Sequence, residues 1–64
     1  MRSHAMIKIE TENAAFDPEP GRELARILRE LADVIELYAT DTQVTLRDLN
    51  GNKVGQFNHY SSED

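Results

Sequence analysis

Few residues in this chain could do chemistry. His4 and His59 supply the imidazoles, and there is no cysteine. Thiolate catalysis, a disulfide and a cysteine-held metal are therefore closed to it. His4 stands in an unpatterned N-terminal stretch, and His59 ends a strand-like run, where an exposed ring is expected. A zinc centre takes about four ligands at recognisable spacing, and no such set is written here. Carboxylates come as neighbouring pairs: Glu10/Glu12, Glu19/Glu23, Glu30/Asp33 and Glu63/Asp64. General acid–base work needs carboxyls whose surroundings drive their pKa values apart. Pairs on a strand face, a helix flank and a tail read instead as solvated surface. The run Asp48-Leu-Asn-Gly-Asn-Lys53 opens like a calcium loop, but His59 falls where the closing bidentate Glu belongs. Gly51 and Gly55 fit neither a phosphate loop nor a dinucleotide fingerprint. No catalytic, cofactor-binding or metal-binding residue is expected, and the protein reads as a non-enzyme.

The elements that carry these residues are clearer. Met6-Ile-Lys-Ile-Glu-Thr-Glu12 alternates, with Ile7, Ile9 and Thr11 on one side and Lys8, Glu10 and Glu12 on the other. Period two with β-branched residues on one face predicts a half-buried strand. Phe16 is a lone aromatic in the connector and is expected to be buried near the helix start. Asp17-Pro-Glu-Pro20 is a helix-start signal, with Asp17 as cap and proline in the first turn, so the helix begins between Pro18 and Arg22. Leu24, Ile27, Leu28, Leu31, Val34, Ile35 and Tyr38 then form one apolar stripe. Ala25, Ala32 and Ala39 border the stripe and permit close approach of a sheet or a second helix. Arg22, Arg26 and Arg29 lie opposite, interleaved with acids, and Leu37 projects on that polar side.

Ala39–Thr42 is a short polar exit. Gln43–Leu49 and Asn52–Asn58 flank Asn50-Gly51, the strongest short hairpin signal, because a tight two-residue turn needs positive φ twice. That turn would set Asp48 against Lys53, Leu46 against Gly55 and Val44 against Phe57. Val44, Leu46 and Phe57 would face the core, and Thr45, Arg47, Val54 and Gln56 would face water. The prediction is an α+β fold of two layers in β-α-β-β order. One amphipathic helix packs on a three-stranded, mainly antiparallel sheet with the last strand central.

The chain has 64 residues and a net charge of -5, from seven Lys+Arg against twelve Asp+Glu. Its mean hydropathy is -0.60. A chain this short makes one small domain, expected over residues 6–60. Residues 1–5 read as an expression-tag remnant or disordered N-terminus, and 61–64 as a disordered acidic tail. The acidic balance argues against holding DNA by its phosphates. Absence of cysteine, of a membrane-length apolar run and of a signal core makes the cytoplasm the expected compartment.

Asn13-Ala-Ala-Phe-Asp17, Glu23-Leu-Ala-Arg-Ile-Leu-Arg-Glu-Leu-Ala32 and, above all, Leu46-Arg-Asp-Leu-Asn-Gly-Asn-Lys-Val-Gly55 carry a resemblance over residues 6–58. They resemble very short, uncharacterised proteins encoded by tailed bacteriophages and prophages. The resemblance transfers no catalytic residue; it implies phage origin, the bacterial cytoplasm and an accessory role. The expected function is protein–protein interaction with a host or phage partner, through a surface that includes Leu37, Thr45, Arg47, Val54 and Gln56. Leu37, Leu49, Val54 and Tyr60 fall off the core positions, and a homodimer joined at a sheet edge or helix flank would bury them. An alternative is an acidic inhibitor imitating nucleic acid against a host nuclease or DNA-binding protein. A third reading, direct nucleic-acid binding by the helix arginines or a dimeric β-ribbon, is the weakest on charge.

Overall fold

Alternating side chains form the first element, β1 (Arg2–Ile9), which reaches further toward the N-terminus than the alternation starting at Met6. The computed structural model describes residues 2–38 and 41–62. Residues 2–5, set aside above as disordered or a tag remnant, are paired strand, with His4 opposite Tyr60 and Ala5 opposite His59. At the other end Ser61 and Ser62 belong to a strand, while Glu63 and Asp64 lie outside the described residues.

A 3₁₀ turn, Ala14–Phe16, follows β1, with Asn13 Oδ1 accepting the Ala15 N–H at 3.1 Å. It drives Phe16 into the core, as expected for the connector's one aromatic. Helix α1 (Pro20–Ile35) starts within the expected range but without Asp17 as its cap. The Asp17–Pro18 peptide is cis, Glu19 is the N-cap residue, and Pro20 occupies the first turn, where its missing N–H has no partner to lose. Ile27 and Leu31 are fully buried, with Leu24, Val34 and Ile35 half-buried around them. Two members of the expected stripe depart from it. Leu28 is 41% exposed on the helix flank, and Tyr38 lies past the last helical turn. Ala39 and Thr40 of the expected exit lie outside the described residues.

Strands β2 (Thr42–Arg47) and β3 (Lys53–Ser62) complete a sheet of order β1-β3-β2, antiparallel throughout, with the helix on one face. The core is Phe16, Ile27, Leu31, Leu46, Val54 and Phe57. Val44, Leu46 and Phe57 take the expected inward face, and the expected pairs Val44–Phe57, Thr45–Gln56 and Leu46–Gly55 form.

The turn corrects the sequence reading. Gly51 N–H donates to the Asp48 carbonyl at 3.0 Å, and Asp48 N–H to the Asn52 carbonyl at 3.0 Å. Only Gly51 of this turn has positive φ, at 85°. Leu49-Asn50-Gly51 is thus a three-residue loop with glycine in the left-handed position of a G1 bulge, in place of a two-residue turn centred on Asn50-Gly51. The extra loop residue puts the strands one step out of phase, and a second bulge at Val54 restores it. Arg47 therefore opposes Lys53, the expected Asp48–Lys53 pair does not form, and Val54 turns inward to 7% exposure. Gly51→Ala should destabilise the fold by about 1–2 kcal/mol, because a side chain in left-handed backbone meets its own carbonyl. Open space around that site confines the effect to the backbone, so Gly51→Asn should recover about half of it in urea unfolding.

Candidate functional site: a carboxylate clamp and an uncovered basic sheet face

Two acids are buried, one that the sequence placed in solvent and one that it paired with Lys53 at the turn end of the hairpin. Glu23, in the first turn of α1, is 4% exposed, and Asp48, at the start of the hairpin loop, is 5% exposed. The helix start lies against the hairpin turn, which encloses both. Arg26, three residues beyond Glu23, forks onto it with Nε to Oε1 at 2.6 Å and Nη2 to Oε2 at 3.0 Å. Leu49 N–H donates to Glu23 Oε2 at 2.9 Å, and Arg26 Nη2 donates to the Arg47 carbonyl at 3.2 Å. Asp48 Oδ1 accepts the N–H groups of Asn50 and Asn52 at 2.8 and 2.9 Å. Its Oδ2 accepts the Asn13 side-chain amide at 2.7 Å and that of Asn52 at 3.3 Å. Among the described residues no buried side-chain nitrogen or oxygen lacks a partner.

These contacts decide the protonation states. The Arg26 guanidinium draws the Glu23 carboxyl below its usual range, and the Leu49 N–H adds to this against the opposing effect of burial. Burial pushes the Asp48 carboxyl up, but the donors from Asn52, Asn13 and Asn50 outweigh it, and its pKa is also lowered. Arg26 is pushed further toward its charged form by the same pairing. A general acid or base works best with a pKa near the operating pH. Both carboxyls are held away from neutrality, with four donors on one and three on the other. Their arrangement is a clamp between helix and turn.

Beside the clamp runs an open groove of about 610 Å³, lined by Pro18, Glu19, Arg22, Arg26, Arg29 and Leu49 among others. Its lining holds no histidine, serine or threonine. The arginine ridge is interrupted by acids, as the sequence implied: Arg26 also meets Glu30 at 3.1 Å, and Arg22 lies 4.0 Å from Glu19. No group of three or more His, Asp or Glu residues among those described converges as metal ligands do.

The second feature is the sheet face turned away from the helix. Register places Thr45, Gln56 and Lys8 in one row across it, and Gln43, Asn58 and Met6 in the next. His4 and Tyr60 follow, with ring centroids 5.5 Å apart. Arg47 and Lys53 oppose each other at the turn end. The three strands contain Arg2, Lys8, Arg47 and Lys53 but no Asp or Glu. In a chain of net charge -5 this face thus carries more cations than acids among the described residues, with Glu10 just past the end of β1 beside Lys8 and Lys53.

The expected interaction residues divide accordingly. Thr45, Arg47 and Gln56 share this outer face, with Gln56 Nε2 donating to Asn58 Oδ1 at 3.1 Å. Val54 does not belong to it, because the bulge that keeps Phe57 in register turns Val54 into the core. Leu37 is 81% exposed but lies past the helix end, on another side of the molecule. His59 is half-buried, its ring 6.5 Å from Phe57, so the expectation of an exposed ring does not hold. Among the described residues no helix is long and apolar enough to cross a membrane. No protein-family model matches the chain, and comparison with curated proteins and with solved structures finds no match.

Proposed function

We propose that this protein is a non-enzymatic binding module that takes an acidic protein partner on the uncovered face of its sheet. The supporting observation is an excess of cations: Lys8, Arg47 and Lys53 stand on this strand surface, with Glu10 beside Lys8 and Lys53 and Asp41 at its far end. Like charges set opposite each other across strands are unfavourable, and of this pair Arg47 serves the hairpin, its Nη1 donating to the Gly51 carbonyl at 2.9 Å. Met6 and Tyr60 add exposed apolar area to the same face. Flat polar surfaces with a few apolar side chains and one sign of charge steer and orient complementary partners. In this reading the protein works in the bacterial cytoplasm as the phage or prophage accessory factor that its resemblance implies.

The alternative, an acidic imitation of nucleic acid, calls for a continuous negative strip. Here Arg22, Arg26 and Arg29 break the helix acids, and Glu23 and Asp48 are buried. The interaction reading has a direct test in affinity capture from bacterial lysate, using immobilised protein and a Lys8→Glu/Lys53→Glu variant. A partner retained at low salt, released at high salt and reduced at least tenfold by the reversal is expected. An identical captured set for both proteins would remove the proposal. A gel shift with duplex DNA at low salt would replace the acidic protein by a nucleic acid.

A further inference from the structure

The area of the molecule and the chemistry of one strand point beyond the single chain. We infer that two copies pair through the free edge of β1, in antiparallel register about Ile7, to form a six-stranded sheet. The proposal stands apart from the acidic partner above, since it concerns the edge and not the face.

Area gives the first reason. The chain exposes 4854 Å², whereas a compact monomer of its 7.3 kDa exposes about 4,200 Å². The excess, roughly 700 Å², is close to the ~800 Å² that each partner buries in a standard interface. The radius of gyration, 13.1 Å, also exceeds the ~11 Å of a compact chain this long.

Part of the exposed apolar area lies along one edge of the sheet, apart from Leu37 and Tyr38 past the helix end and Leu49 in the hairpin loop. Of the two edge strands, β2 shows water Gln43, Thr45 and Arg47. Exposed Met6 and Ile7 lie on opposite faces of β1, the latter 48% exposed although it shares the helix-side face with Phe57. The helix adds to this side. Arg26 reaches the Arg47 carbonyl in β2, so the opposite flank of α1, with Ala25, Leu28 and Ala32, is turned away from β2. Leu28 is left 41% exposed there. Small residues beside an exposed leucine suit the close approach of a second helix, which a two-fold axis through Ile7 would bring alongside.

Backbone direction then sets the register. Glu10 N–H donates to the Val54 carbonyl at 2.8 Å, which turns the even-numbered residues of this edge toward β3. Antiparallel pairing alternates inward and outward groups, so Ser3, Ala5, Ile7 and Ile9 offer their N–H and C=O groups to the free side. A two-fold at Ile7 sets Ile7 against itself and Ala5 against the partner's Ile9. It also faces Met6 with the partner's Lys8, His4 with the partner's Glu10 and Arg2 with the partner's Glu12. Every charge meets an opposite or neutral group. A two-fold at Ala5 would instead set Arg2 against the partner's Lys8, and like charges directly opposed are unfavourable.

Sedimentation equilibrium and amide exchange on the whole chain test this. The wild type should sediment at twice 7.3 kDa at micromolar concentration, with slow exchange at Ile7 and Ile9. Ala5→Pro removes an outward N–H and leaves the β3-facing ladder intact, and Leu28→Glu places a charge on the helix flank. Each should weaken association at least tenfold while circular dichroism stays native, and Leu37→Glu should leave it unchanged. A wild type that stays monomeric with fast exchange at Ile7 and Ile9 overturns the proposal. So does a dimer that survives both Ala5→Pro and Leu28→Glu, or one that Leu37→Glu dissolves.

Discussion

Gly55→Ala is expected to release β1 from the sheet. A Cβ at Gly55 would collide with the Lys8 carbonyl oxygen and fall 2.9 Å from Ile9 Cα and 3.0 Å from the Lys8 carbonyl carbon. All three are backbone atoms, so no rotamer change relieves the collision. The strand order β1-β3-β2 means that β1 pairs with β3 alone, so it has no second neighbour to hold it once that contact opens. Overpacking a well-filled core costs about 1–3 kcal/mol when side chains can adjust, and a backbone collision belongs at or above that range. The whole stability of a 64-residue domain is about 3–10 kcal/mol. The variant should therefore lose at least ~3 kcal/mol in urea unfolding, with β1 amides exchanging first. Gly21→Ala makes the same chemical change inside α1, where the added carbon meets nothing within 4 Å. It should stabilise the protein by about 0.5–1 kcal/mol. Equal urea midpoints for Gly55→Ala and the wild type would show that β1 is not seated against Gly55 as described.

That glycine also marks where the sequence stops being readable. Helix, strands and their order are legible because each rests on a repeat: period two at Ile7 and Ile9, period 3.6 from Leu24 to Ile35, and a glycine turn between two short runs. Repeats assign faces by counting, and counting fails wherever a residue is inserted. Val54 is placed on the wet face by parity and sits in the core because the second bulge shifts parity between Lys53 and Gly55. The clamp escapes notice for a different reason. Glu23 looks like an ordinary surface acid and Asp48 like half of a cross-strand ion pair, and what buries them is a tertiary contact between helix start and hairpin turn. Local signals do exist, in Arg26 three residues after Glu23 and in the Asn50/Asn52 pair after Asp48, but they name donors without telling which side chains meet. The outer face was recognisable through Thr45, Arg47 and Gln56. Its excess of cations becomes visible only once register brings Lys8 and Lys53 beside them.

Asp48→Ala should be the most damaging loss of a polar side chain in the protein. Asp48 receives the Asn50 and Asn52 N–H groups within the turn and the Asn13 amide from the 3₁₀ entry. Alanine leaves these donors facing a small cavity, and an unmet buried donor is dearer than the bond it replaces. The melting temperature should fall on the order of 10 °C, further than for Glu30→Ala on the exposed helix surface. Asp48→Asn tests charge against shape. It keeps one oxygen for the turn but presents an NH2 group to donors on the other side, so an intermediate loss is expected. The pH dependence has a definite sign. Glu23 and Asp48 both have lowered carboxyl pKa values in the fold, so the unfolded chain binds more protons in acid. The stability they add is fully present above the ordinary carboxylate range near pH ~4. It drains away as pH falls through the folded values. Thermal melts should be level between neutral pH and pH ~5 on this account and drop steeply below it. A Glu23→Gln/Asp48→Asn variant should start lower and descend more gently, because its two amides no longer titrate. Parallel acid limbs for the two proteins would mean that other carboxylates carry the acid response and that this clamp is not what ties the helix to the turn.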